Sequence, residues 1–258
     1  MPQVLFGLLS VTRVPVDPMG YTPVNTGICG QGKAHLSQAQ ATVQLPVDAL
    51  LGTRFSQDEV HKICEVFKLK LLHEKYDPSG DVTIDDIRVK HWEEAMQETG
   101  TTEPHHDLAV ECYYLWKNTR LQLLTIPGPV QAMLENLRRT HKLLLLTNGV
   151  AQTQREKIKA VHCEGLFHAM VVGGEHPEEK PALSIFHHCF GLLGVRPQDC
   201  VMVGDSLDTD ILGGVNAGVR ATVWINSNGR DVPPGASVRP DYTIETILEL
   251  PIILSTLQ

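Results

Sequence analysis

The stretch Cys200-Val201-Met202-Val203-Gly204-Asp205-Ser206-Leu207-Asp208-Thr209-Asp210 decides how this chain is read. An apolar run of strand length stops at a glycine, and three carboxylates follow within six residues. Runs uninterrupted by polar positions belong to strands buried on both faces, as in a parallel sheet covered by helices. Carboxylates crowded at a strand end repel one another unless positive charge stands among them, and hard oxygen ligands suit magnesium. Asp205, first after the strand, is therefore the best metal candidate. Asp208 reads as solvated, and Asp210 suits a helix cap as well as a metal.

Working outward, the same rhythm runs through the C-terminal half. Beyond Pro127 the pattern predicts a helix over 129–140, a strand Leu143 to Thr147, a helix over 152–161 and a strand Ala169 to Val172. It continues with a helix over 182–193, the strand Cys200 to Gly204, a helix Thr209 to Ala217, a strand Ala221 to Ile225, and a short strand near Tyr242 before a last helix. Strands alternating with helices make an α/β class with a doubly wound parallel sheet. Ligands of such sheets bind beyond the carboxyl ends of the strands. Leu143 to Leu146 end there in Thr147-Asn148-Gly149, a hydroxyl and a run of backbone amides suited to a phosphate, although an ordinary strand-to-helix turn has the same composition. Glu178-Glu179-Lys180-Pro181 precedes a helix whose first turn starts near the proline. Most lysines are merely solvated, but a hydroxyl (Thr147), a cation (Lys180) and a carboxylate (Asp205) at one sheet edge suggest phosphoryl transfer.

Upstream the texture differs. Ser56 with Glu59 three residues on suits a capping box, and Val60, Ile63, Cys64, Phe67 and Leu71 recur at helical spacing. After the Asp77-Pro78-Ser79-Gly80 turn, helical patterns run from Asp85 to Glu98 and from about His106 to Asn118, with Trp92, Met96, Tyr113 and Trp116 as anchors. Residues 53–122 thus read as an all-helical unit and 123–258 as the α/β core. Residues 1–52 stand apart: among the first 50, only Arg13, Asp17, Lys33 and Asp48 are charged, and five prolines with Gly20, Gly27, Gly30 and Gly32 break up any long element. Little regular structure is expected there.

The whole chain, 258 residues with 42% hydrophobic and 20% charged side chains, excludes a disordered or fibrous protein. A formal charge of -8 without any basic block argues against nucleic acid or an anionic membrane as partner. The apolar run Val4 to Val11 is too short to span a bilayer and has no basic residue before it. Six scattered cysteines without a CxxC pair fit reduced, buried thiols and a cytoplasmic protein. His187, His188 and Cys189 are consecutive and point to different helix faces, a poor metal site. Lys33 after Gly30-Gln31-Gly32 lacks the rest of a phosphate-binding loop.

Thr147, Lys180 and Asp205 with Asp210 resemble the later motifs of the haloacid dehalogenase (HAD) superfamily of phosphohydrolases. The likeness extends from about Thr53 to the C-terminus, through His91-Trp92-Glu93-Glu94-Ala95, Gln152 to Lys157, Val171-Val172-Gly173-Gly174-Glu175 and Thr222 to Asn226. It implies a Rossmann-like core with a helical cap, magnesium (Mg2+) as cofactor, and a small phosphorylated sugar acid as substrate. It further implies Thr147, Asn148 and Lys180 on the phosphate, Lys180 as the catalytic cation, and Asp205 and Asp210 at the metal.

One part of the family pattern is missing. Members open with an apolar strand ending in DxDxT, whose first Asp attacks phosphorus and whose second serves as acid and base. The sole D-x-D of this chain, Asp208-Thr209-Asp210, lies inside the last acidic motif. Leu5-Phe6-Gly7-Leu8-Leu9-Ser10-Val11 can imitate the strand but offers no carboxylate. Weak or absent turnover is therefore expected, because covalent catalysis needs an attacking group that Thr147 and Lys180 cannot supply. The sheet faces a related demand: the missing strand pairs on both sides, and each buried amide left unpaired costs about 1–3 kcal/mol. Residues 4–11 are the segment available to fill that place. Two other readings stand beside the first. One is a non-catalytic, truncated or alternatively started form, and the other is a phosphatase for another small ester such as phosphoglycolate.

Overall fold

In the computed structural model, which describes residues 4–7, 46–100, 105–229 and 231–257, six short strands form one parallel sheet. They are β1 (Val4–Gly7), β2 (Lys142–Thr147), β3 (Ala169–Val172), β4 (Cys200–Gly204), β5 (Ala221–Ile225) and β6 (Tyr242–Ile244). The order β3-β2-β1-β4-β5-β6 reverses direction at β1, the switch point beside which doubly wound sheets take their ligands. β1 pairs on both sides, Gly7 standing level with Leu145 of β2 and Val203 of β4. Val4–Gly7 thus occupies the central position that the resemblance gives to the missing strand; residues 8–11 lie outside the described residues, as do Cys29, Lys33 and its glycines.

Side-chain alternation divides the strands between two cores. Leu143 and Leu145 of β2 and Val201 and Val203 of β4 face Met133, Leu134 and Leu137 of one helix and Leu250 and Leu254 of another. Leu144, Leu146, Cys200 and Met202 face the other way, onto Ile185, Phe186, Cys189 and Phe190. Burial on both faces explains why these strands carry no polar position except at their ends.

The described residues fall into two units, a helical one over 46–100 and 105–124, and a second in which residues 4–7 join those from 125 onward. In the first, α1 (46–51) leads to α2 (Gln57–Leu72), α3 (Ile84–Gln97) and α4 (His106–Leu123). The five apolar positions read at helical spacing are the five buried residues of α2, and Ser56 closes the expected capping box with Glu59. Thr83 and Asp86 form a second box before α3. Phe67 stacks on Trp92 with ring centroids 3.9 Å apart. The helical turn over 46–51 falls where irregular chain was expected. Val47 and Leu51, four residues apart and both fully buried, draw it into the α2 core.

The second unit adds α5 (Gly128–Arg138), α6 (Ala151–Ala160), α7 (Leu183–Leu193), α8 (Leu212–Asn216) and α9 (Leu250–Thr256) around the sheet. The helix expected from Thr209 to Ala217 begins instead as a π-helical turn, Leu207–Ile211, and continues as α8. Wide turns of this kind gather at functional sites, and this one turns Asp210 inward. Among the described residues, no helix is long and apolar enough to cross a membrane. The five described cysteines are buried; burial pushes the Cys163 thiol up to about 11 and the Cys112 and Cys200 thiols to about 12.

Candidate active site at the carboxyl edge of the sheet

Lys180 and Asp210 lie 30 residues apart in sequence and meet behind the ends of β2 and β4. The ammonium donates to Asp210 Oδ1 at 2.7 Å and to the Leu146 carbonyl at 3.0 Å. Both side chains are almost wholly buried, at 2% and 1% exposure. An ion pair in a low-dielectric interior holds only where each charge finds further polar partners. Asp210 finds one in the Ser206 amide, which donates to Oδ2 at 3.0 Å. Lys180 finds one in the Leu146 carbonyl of β2. The burial of Asp210 depends on Gly204, because a Cβ there would stand 2.3 Å from the Asp210 carboxylate.

The loop bearing Lys180 is fastened to the end of β2. Asn148 Nδ2 donates to the Lys180 carbonyl at 2.8 Å, while the Lys180 amide donates to Asn148 Oδ1 at 3.1 Å. The Gly149 amide donates to Glu179 Oε2 at 2.9 Å. Gly149 adopts φ of +105°, left-handed backbone that favours glycine, and a Cβ on Gly174 would come within 2.4 Å of the Gly149 carbonyl oxygen. The side chain of Asn148 is thus committed to the Lys180 backbone, which leaves its main-chain N–H as the group it offers to an anion. The Thr147 hydroxyl is buried and weakly engaged, 3.3 Å from Gln154 Oε1 and 3.4 Å from the Asn148 carbonyl.

Asp205 is exposed at the end of β4, and its carbonyl accepts the Trp224 indole N–H at 2.9 Å. Asp208 is exposed too, 3.4 Å from the Ser237 hydroxyl. Among the described residues, no group of three or more His, Cys, Asp or Glu side chains is gathered closely enough to hold a metal. His187 and His188 are exposed while Cys189 is buried on the opposite side of α7. Burial raises the Cys189 thiol to about 12, against the opposing charge of Lys180.

Contacts therefore link Asn148, Lys180, Asp210 and the Asp205–Ser206 turn in one chain, with Thr147 directly after the carbonyl that Lys180 holds. Sequence reasoning overlooked Glu179, Trp224 and Gly204. Glu179 sits in a charged tetrapeptide that looks solvated, and Trp224 lies within a strand, β5, that looks like core. The signal that could have exposed Trp224 is its indole N–H, a donor that needs a partner when buried.

A model of the haloacid dehalogenase-like hydrolase family matches residues 37–218. The chain is 52% identical over 214 residues to the N-acylneuraminate-9-phosphatase of Rattus norvegicus, covering 83% of this chain and 86% of that one. The Homo sapiens protein of the same name gives the same figures. Among solved structures, the HAD hydrolase YfnB of Bacillus subtilis, described with magnesium bound, superposes with a TM-score of 0.61 at 19% identity over 98% of both chains. At that identity the likeness is one of fold.

Proposed function

The chain belongs to the haloacid dehalogenase-like hydrolases, and from that premise we propose that its sheet edge takes the phosphate of N-acylneuraminate 9-phosphate. Phosphatase is the function of its 52%-identical relatives, and phosphomonoester hydrolase is its class by family. The observation that carries the site is the buried Lys180, brought to the ends of β2 and β4 with a proton to spare. An ammonium has three donors, and two are used by Leu146 and Asp210. The third is left for a phosphate oxygen, in surroundings where a charge acts more strongly than in water.

In this reading Thr147 Oγ1 and the Asn148 main-chain N–H bind the same phosphate, and the Asn148 side chain holds Lys180 at the right depth. Asp205 fits magnesium, which takes one or two carboxylates and completes its places with water and substrate phosphate. Such an ion supplies positive charge to the phosphoryl oxygens when bound. Asp210 spends its two oxygens on Lys180 and the Ser206 amide, and so supports the metal carboxylate from behind. Buried cysteines support a reducing, cytoplasmic setting.

The DxDxT that supplies the attacking group in the family does not occur in the sequence. β1 is followed by Leu8-Leu9-Ser10-Val11, and the first carboxylate in the sequence is Asp17. This favours a second reading, a protein that grips the phosphate ester and turns it over weakly or not at all. The test is magnesium-dependent release of phosphate from N-acetylneuraminate 9-phosphate. The expected rate does not exceed that of a Lys180→Ala control, and a rate well above the control overturns the second reading. A version with an apolar strand and DxDxT in place of β1 is expected to hydrolyse this ester in preference to phosphoglycolate. The reverse preference overturns the substrate.

A further inference from the structure

The peptide unit joining Asp205 to Ser206 is held on both of its polar edges. Its carbonyl accepts from Trp224 Nε1 at 2.9 Å, and its N–H donates to Asp210 Oδ2 at 3.0 Å. A peptide unit is planar, so hydrogen bonds on both edges fix its rotation, and with it the ψ of Asp205 and the φ of Ser206. We propose that Trp224 is a positioning residue for the Asp205 carboxylate, setting the direction in which that carboxylate leaves β4 and hence its affinity for a divalent cation. This rests on the reading of Asp205 as the magnesium carboxylate.

Placement and chemistry both favour this role. Trp224 stands level with Gly204 in the β4–β5 register, one residue before Asp205, and its ring is 7% exposed. The indole N–H can only donate, and the carbonyl of Asp205 is its acceptor. On the other edge Asp210 is itself fixed by Lys180, so the clamp runs from Trp224 through the peptide to the phosphate-binding cation. A carboxylate on a turn so fixed loses less freedom when it captures an ion than one on a loose turn.

The experiment uses the full chain with its own sequence. Magnesium chloride is titrated by calorimetry and, in parallel, against the 15N-labelled indole signals of its three tryptophans, of which Trp92 and Trp116 lie in the helical unit. The Trp224 signal is expected to shift and saturate with the heat of binding, while the other two stay in place. Trp224→Phe keeps a ring and removes the donor. It is expected to weaken magnesium about tenfold, as loss of a partner behind a metal ligand does, and to leave the affinity for inorganic phosphate without metal unchanged. Unchanged magnesium affinity in this variant overturns the proposal, and so does an equal loss of phosphate affinity, which would mark general loosening. Should the variant not fold, the unmodified chain decides: magnesium binding without a Trp224 shift overturns the proposal. Asp205→Asn is expected to abolish magnesium binding. If it binds as the parent does, or if the parent shows neither heat nor shift, the reading of Asp205 fails and this inference with it.

Discussion

Each unit of this protein contains a buried ion pair, and the two are built differently. In the helical unit Arg88 lays its fork on Glu74, Nε to Oε2 at 3.1 Å and Nη2 to Oε1 at 2.9 Å, with exposures of 11% and 9%. Burial opposes the Arg88 cation, yet the hydrogen bonds and charge of Glu74 hold its pKa above the ordinary value. A planar guanidinium laid in two parallel bonds on a carboxylate ties α3 to the segment after α2. In the α/β unit Lys180 is a compact charge that gives Asp210 one bond and retains a donor. The first pair is joined by two parallel bonds and holds structure together. The second holds its cation in readiness at a sheet edge. The difference lies in bond geometry and in position, since both pairs are buried.

Removing the cation tests this contrast most severely. Lys180→Ala leaves Asp210 buried without its counter-charge, and an orphaned charge of this kind costs about 3–5 kcal/mol. Phosphate affinity is expected to fall about 10- to 100-fold, the equivalent of a charged hydrogen bond worth roughly 1.5–3 kcal/mol. Denaturant unfolding and phosphate calorimetry read the two effects. Equal phosphate binding with and without Lys180 would put both pairs in the same structural class. Glu74→Ala takes the carboxylate from Arg88 and is expected to cost about 3 kcal/mol, the lower end of the same range because that pair is less deeply buried. Its phosphate affinity is expected to stay at the parent value, and a matching loss would erase the distinction.

The smallest effect is one of pH. His91 lies 3.7 Å from Glu74, and burial lowers its pKa below 6.5 although Glu74 pulls it upward. The unfolded chain therefore takes up this proton at a higher pH than the folded one. The stability tied to neutral His91 is complete above about pH 6.5 and is lost as the pH falls below it. Melting temperatures between pH 7.5 and 5 should decline, and less steeply in His91→Gln. The remaining slope belongs to groups such as His141 and His168, whose values burial also lowers. An identical slope in the variant would remove His91 from the account.

Much of this architecture could be read before any coordinates. Ala169–Val172, Cys200–Gly204 and Ala221–Ile225 are apolar runs between breaks, and the strands keep those bounds. The buried face of α2 follows its spacing residue for residue. Six residues over 46–51 are too few to display a period, so that helix stayed hidden. The site was harder. Thr147 and Asp205 were marked by the strands they follow, but Lys180 gained meaning only from its company, because a lysine beside two glutamates looks like ordinary surface. Its bond to Asp210, the indole on the Asp205 carbonyl and the Glu179 carboxylate on Gly149 depend on loops brought together by the sheet order. No local pattern encodes those meetings.

The joining of β1 to both neighbours has one more implication. Ladder bonds run between main-chain groups that every residue except proline possesses, so the middle of the sheet asks its occupant for extended backbone and greasy side chains, and nothing else. The keystone of the architecture and the reagent of the chemistry are separate requirements placed on one short segment. The pairing of Val4–Gly7 is a matter of backbone, whatever that segment brings to the chemistry.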